Sequence, residues 1–81
     1  MASPNVKFYD VRSYEDWNRI QDRIERGNEW AITYIHRFGH EDEHWEAWGK
    51  GERLDSRCAT LQDAQDVISD AISRPGSYGL S

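Results

Sequence analysis

The chain has 81 residues, 10 of them lysine or arginine and 15 aspartate or glutamate, which gives a formal charge of -5. That length predicts one hydrophobic core and one domain, because a chain this small buries only about 60% of the surface its unfolded form exposes. The acidic balance argues against a phosphate backbone as principal partner and favours a basic protein surface, while the missing long apolar run and the Met1-Ala2-Ser3-Pro4 start argue against a membrane span or a secretory signal.

Val6 and Phe8 alternate with Lys7, so residues 5–9 are expected to form a short half-buried strand ended by Asp10. Ser13, with Asp16 three residues on, has the form of a capping box. Trp17, Ile20 and Ile24 then recur at helical spacing, predicting a helix over residues 13–26 that stops at Gly27. Along it Glu15 and Arg19, then Asp22 and Arg26, stand four apart in opposite sign.

The run Trp30-Ala31-Ile32-Thr33-Tyr34-Ile35 is β-branched and aromatic and predicts the central strand. A polar turn carrying Gly39 leads to a returning strand over 43–48, and Gly49-Lys50-Gly51 turns the chain into a weaker third strand over 52–58. Thr60 and Asp63 start a second helix, whose stripe of Leu61, Ala64, Val67, Ile68, Ala71 and Ile72 is the clearest pattern in the chain. Pro75-Gly76 ends it, leaving residues 77–81 as a mobile tail of a domain that spans 1–76.

The expected fold class is therefore α+β: a small antiparallel sheet of three or four strands with two helices, in the order β-α-β-β-β-α. The helices are expected on one face, with Ile20, Ile24 and Ile68 in one core. This order resembles the double-stranded RNA-binding domain, and the stretch from Trp45 to Ile72 resembles three-stranded DNA-binding modules whose helix starts Thr-Leu-x-x-Ala. The second helix here opens Thr60-Leu61-Gln62-Asp63-Ala64-Gln65-Asp66, without the basic residues those families set against phosphate, so the likeness implies topology alone.

Chemistry-bearing residues are few. His36, His40 and His44 are spaced by four, but Gly39 breaks the run, so His36 and His44 are expected to face each other across a hairpin with His40 at its tip and no metal bound. Cys58, the single cysteine, lacks a nucleophile signature and reads as a small buried hydrophobe in a reducing, cytoplasmic setting. No cofactor motif and no nucleophile elbow is present, so the chain is not expected to be an enzyme.

Two acidic groups stand out instead. Asp63, Asp66 and Asp70 line one face of the second helix with no lysine or arginine on that face before Arg74. Glu41, Asp42, Glu43 and Glu46 gather at the hairpin among Trp45 and Trp48, whose side chains point to opposite faces of a strand. Carboxylates beside aromatics compose a protein-binding surface, and these nine residues are the expected partner-binding set. In size, acidity and lack of motifs the chain resembles the small phage proteins that inhibit host defence nucleases, the anti-CRISPR proteins. The resemblance implies a monomer or homodimer that blocks the basic, nucleic-acid-binding surface of a larger protein such as a CRISPR effector. Two further readings stand beside it: an assembly module that self-associates through its sheet, and a nucleic-acid-binding domain using Arg19, Arg23 and Arg26.

Overall fold

A computed structural model describes residues 5–73. It contains β1 (Val6–Val11), α1 (Tyr14–Gly27), β2 (Trp30–Ile35), β3 (His44–Gly49), β4 (Glu52–Cys58) and α2 (Leu61–Ser73). The order β-α-β-β-β-α and the α+β class are those expected from the sequence. Arg74, the Pro75-Gly76 stop and the 77–81 tail lie outside the described residues.

The four strands form one sheet in the order β1-β2-β3-β4. The sheet is mixed rather than purely antiparallel. β1 runs parallel to β2 over six paired residues, from Val6 opposite Trp30 to Val11 opposite Ile35, whereas β2–β3 and β3–β4 are antiparallel. Asp10 does not end β1. The strand continues to Val11, whose carbonyl accepts from the His36 N–H at 2.9 Å.

Joining parallel neighbours requires a crossover, and α1 is that crossover, laid over one face of the sheet. The chain leaves β4 and returns as α2 over the other face. The helices therefore pack on opposite faces, not on one, and Ile68 does not share a core with Ile20 and Ile24. Under α1, Ile20 and Ile24 meet Val11, Ala31, Ile35 and Trp48; under α2, Ala64 and Ile68 meet Ile32, Ala47 and Cys58. Alternation along each strand supplies both layers. Ala31 and Ile35 point one way from β2 and Ile32 the other, while β3 sends Trp48 to the first layer and Ala47 to the second.

Local signals set the helix ends. The Ser13 hydroxyl accepts from the Asp16 N–H at 3.1 Å, and Thr60 accepts from the Asp63 N–H at the same distance. The left-handed residue that closes α1 is Asn28, at φ 53°, with Gly27 inside the helix; asparagine is the usual second choice for that conformation. Arg26 pairs with Asp22 as expected, but Arg19 turns to Asp16 at 3.1 Å rather than to Glu15.

Candidate functional site

α2 carries its charge outward. Ala64, Ile68 and Ala71 face the sheet, and Asp63, Asp66 and Asp70 are exposed on the far side. The helix contains three aspartates and neither lysine nor arginine, whereas α1 mixes four acids with three arginines. Its carboxylates are not idle: Asp66 accepts from the Gln62 side chain at 2.9 Å, and Asp70 also has a partner. The amide partner of Asp66 removes no charge, so Asp63 and Asp66 keep the N-terminal half of the outer face negative.

The topology also collects acids at one end of the sheet. β1, β2 and β4 all finish there, β3 begins there, and both helices start there. Hence the β2–β3 connection, with Glu41 half-buried and Asp42 and Glu43 exposed, lies at the same end as Asp63. The connection is closed by paired hydrogen bonds between Phe38 and Glu41, with Gly39 at φ 55° and His40 at the tip. Asp66 and Asp70 step away from this end along α2.

Glu46 belongs to a different arrangement. It is 1% exposed, beneath α1, and its carboxylate is fully engaged. Oε1 accepts from the Trp17 indole N–H and from the Thr33 hydroxyl, each at 3.1 Å, and Oε2 accepts from Arg53 at 3.3 Å. Arg53 in turn lies over the Trp48 ring, 5.6 Å from its centroid. A buried charge survives only when paired and hydrogen-bonded, and these donors meet that demand. Glu46 and Trp48 therefore stand inside the protein and not on its binding surface. Trp45 is half-buried on the α2 side, stacked on Tyr34 with ring centroids 4.3 Å apart. Beside Glu46 a polar cleft of about 210 Å³ opens between Trp17, Glu41, His44, Arg53 and Arg57. Its two arginines face two glutamates, so it selects neither an anion nor a cation.

The histidines do not converge. β-pairing sets His44 opposite Ile35, one residue short of His36. His44 is buried and its Nδ1 donates to the Asp42 carbonyl at 2.7 Å, while His36 lies tilted against the Tyr34 ring with Nε2 3.6 Å from Asp10. Among the described residues no group of three histidine, cysteine or acidic side chains is placed to hold a metal ion, and no helix is long and apolar enough to cross a membrane. Cys58 is buried, and burial, reinforced by Asp55 and Asp63, pushes its thiol up to about 11. At neutral pH it carries no thiolate and is no nucleophile.

Of the nine expected binding residues, the structure thus leaves Asp63, Asp66, Asp70, Asp42 and Glu43 exposed, keeps Glu41 and Trp45 half-buried, and withdraws Glu46 and Trp48. The polar cluster around Glu46 was not foreseen. Its members were legible one by one, with Trp17 in the α1 stripe and Glu46 on β3, but their meeting depends on α1 crossing the face opposite α2. No family model, curated protein or solved structure matches the chain.

Proposed function

We propose that this chain is a non-catalytic binding protein of the cytoplasm that sets the outer face of α2, with Asp42 and Glu43 at the end of the sheet where α2 starts, against a basic surface of a larger protein. The observation that carries the reading is the segregation of charge. Arg19 and Arg26 of α1 pair with Asp16 and Asp22, and the buried Glu46 is matched by Arg53, while α2 carries three exposed aspartates and no lysine or arginine between Leu61 and Ser73. Carboxylates repeating along a helix present negative charge to a groove built for phosphates, which is how an acidic protein would block a nucleic-acid-binding partner such as a CRISPR effector. The pairing of Arg19 and Arg26 with carboxylates weighs against a nucleic-acid-binding reading, and a thiol held protonated inside the protein suits a reducing compartment.

The test uses the wild-type chain and the Asp63→Asn/Asp66→Asn/Asp70→Asn variant as paired baits in lysate of the native host, with elution by salt and by duplex DNA. A partner that leaves the variant at lower salt and is displaced from the wild type by DNA supports the reading. A partner held equally by the folded variant and indifferent to DNA overturns it for α2 and turns attention to Glu41, Asp42, Glu43 and Trp45.

A further inference from the structure

The two edges of the sheet are built differently. β4 presents Glu52, Arg53, Asp55 and Arg57, and its pairing with β3 slips in register at two places. Charged side chains and irregular pairing are the usual guards of an exposed edge. β1 has no irregular pairing, and Asp10 is the one charged residue along its outer line. Its six residues pair with β2 in unbroken register. Because the Val11 carbonyl points toward β2, the backbone groups of Val11, Tyr9 and Lys7 face inward, and those of Val6, Phe8 and Asp10 face out.

The same alternation sends the Phe8 ring to the α2 side of the sheet. There it is 60% exposed, one of two large exposed hydrophobics among the described residues. α2 sits over β2, β3 and β4, so the β1 side of that face is open, and a groove of about 210 Å³ runs from Phe8 between Val6, Ile32, Gln65, Ile68, Ser69 and Ile72. None of these side chains is charged. In a chain of net charge -5, a neutral apolar strip is where a like-charged copy can approach without repulsion.

We infer that β1 is a self-docking edge, at which two copies pair antiparallel about a two-fold axis through Phe8 and close their grooves into one apolar layer. A two-fold normal to the sheet keeps the α2 faces of both copies on the same side, so the grooves meet. Centring the axis on Phe8 opposes Phe8 to Phe8 and Val6 to Asp10. That register uses every outward-facing residue of both strands, and each opposed pair exchanges both of its hydrogen bonds. Asp10 does not obstruct it, since its carboxylate leans toward His36 and Arg12. One strand pair with one aromatic layer lies at the small end of specific interfaces, so the dimer exchanges with monomer as concentration changes.

Phe8→Glu and Phe8→Lys test both the edge and the register, because each variant places like charges opposite each other across the axis and the mixture places opposite ones there. Sedimentation of the wild-type chain over a concentration series should show a monomer–dimer equilibrium. Each variant alone should dissociate roughly tenfold more easily or worse, and the equimolar mixture should regain dimer. Circular dichroism keeps folding apart from association, and Phe8→Pro gives a second check, since its lost N–H points outward and leaves the β1–β2 ladder intact. The Phe8→Pro monomer should fold and stay monomeric. A wild-type chain that is monomeric throughout, whether another protein or residues 74–81 cover the groove, overturns the inference, as does a mixture of folded variants that stays monomeric.

Discussion

The two faces of the sheet solve the problem of charge in opposite ways. Beneath α1 a carboxylate is drawn inside and neutralised: Glu46 is held by Trp17, Thr33 and Arg53, and on the helix surface Asp16 and Asp22 pair with Arg19 and Arg26. Beneath α2 the core is entirely apolar, and the carboxylates are pushed to the far side of the helix. A charge that costs desolvation unless satisfied belongs to the architecture, whereas a charge left in water costs the fold little. The α1 face thus uses its buried charge to hold the fold, and the α2 face leaves its charge outside the core.

If the faces are separate cores, truncating one should not be felt by the other. Ile24→Ala and Ile68→Ala are each expected to cost about 2–5 kcal/mol. Urea unfolding of the double variant should give their sum to within about 0.5 kcal/mol, since the side chains share no partner. A coupling well above that would merge the faces into one layer.

The next effect is a rate. Cys58 lies in the α2-side core, and its thiol is raised to about 11 chiefly by burial. Alkylation by iodoacetamide at pH 8 should run about a hundredfold slower than for an exposed thiol and accelerate as pH rises toward 11. Linkage has the same sign. A group that folds neutral, with a raised value, contributes stability below its unfolded value and loses it as pH passes the folded one, so alkaline unfolding should set in through that window. Fast alkylation at pH 8 would show that the α2 side opens readily.

A smaller effect is expected at the end of α1. Asn28 sits at φ 53° and its N–H reaches back to Glu25, so Asn28→Ala should lower stability by about 1 kcal/mol and Asn28→Gly should be neutral or mildly stabilising, measured by thermal melts.

Much of this architecture is legible in the residues. The α2 stripe, the Ser13 and Thr60 caps and the opposed directions of Trp45 and Trp48 follow from spacing alone. The sidedness of the helices does not, because a helix stripe says that a face is buried and not which face buries it. One sign was present: Trp30-Ala31-Ile32-Thr33-Tyr34-Ile35 is almost continuously apolar, the composition of a strand covered on both sides, and four of its five partners on β3 are buried as well. The side on which α1 packs decides the site. With both helices on one face, Glu46 and Trp48 read as surface; with α1 on the opposite face, they become its core. The outward direction of Asp63, Asp66 and Asp70 survives because it depends only on the phase of α2.

The most direct test applies one chemical change, carboxylate to carboxamide, to both faces and compares urea midpoints. Glu46→Gln should lower stability by about 1–3 kcal/mol, because the amide cannot replace the charged acceptor that Arg53 donates to. The combined Asp63→Asn/Asp66→Asn/Asp70→Asn variant should be unchanged or more stable by a few tenths of a kcal/mol as repulsion along the helix is relieved. A neutral Glu46→Gln, or a triple variant that loses as much as Glu46→Gln, would contradict the contrast between a carboxylate that holds the fold and carboxylates that do not.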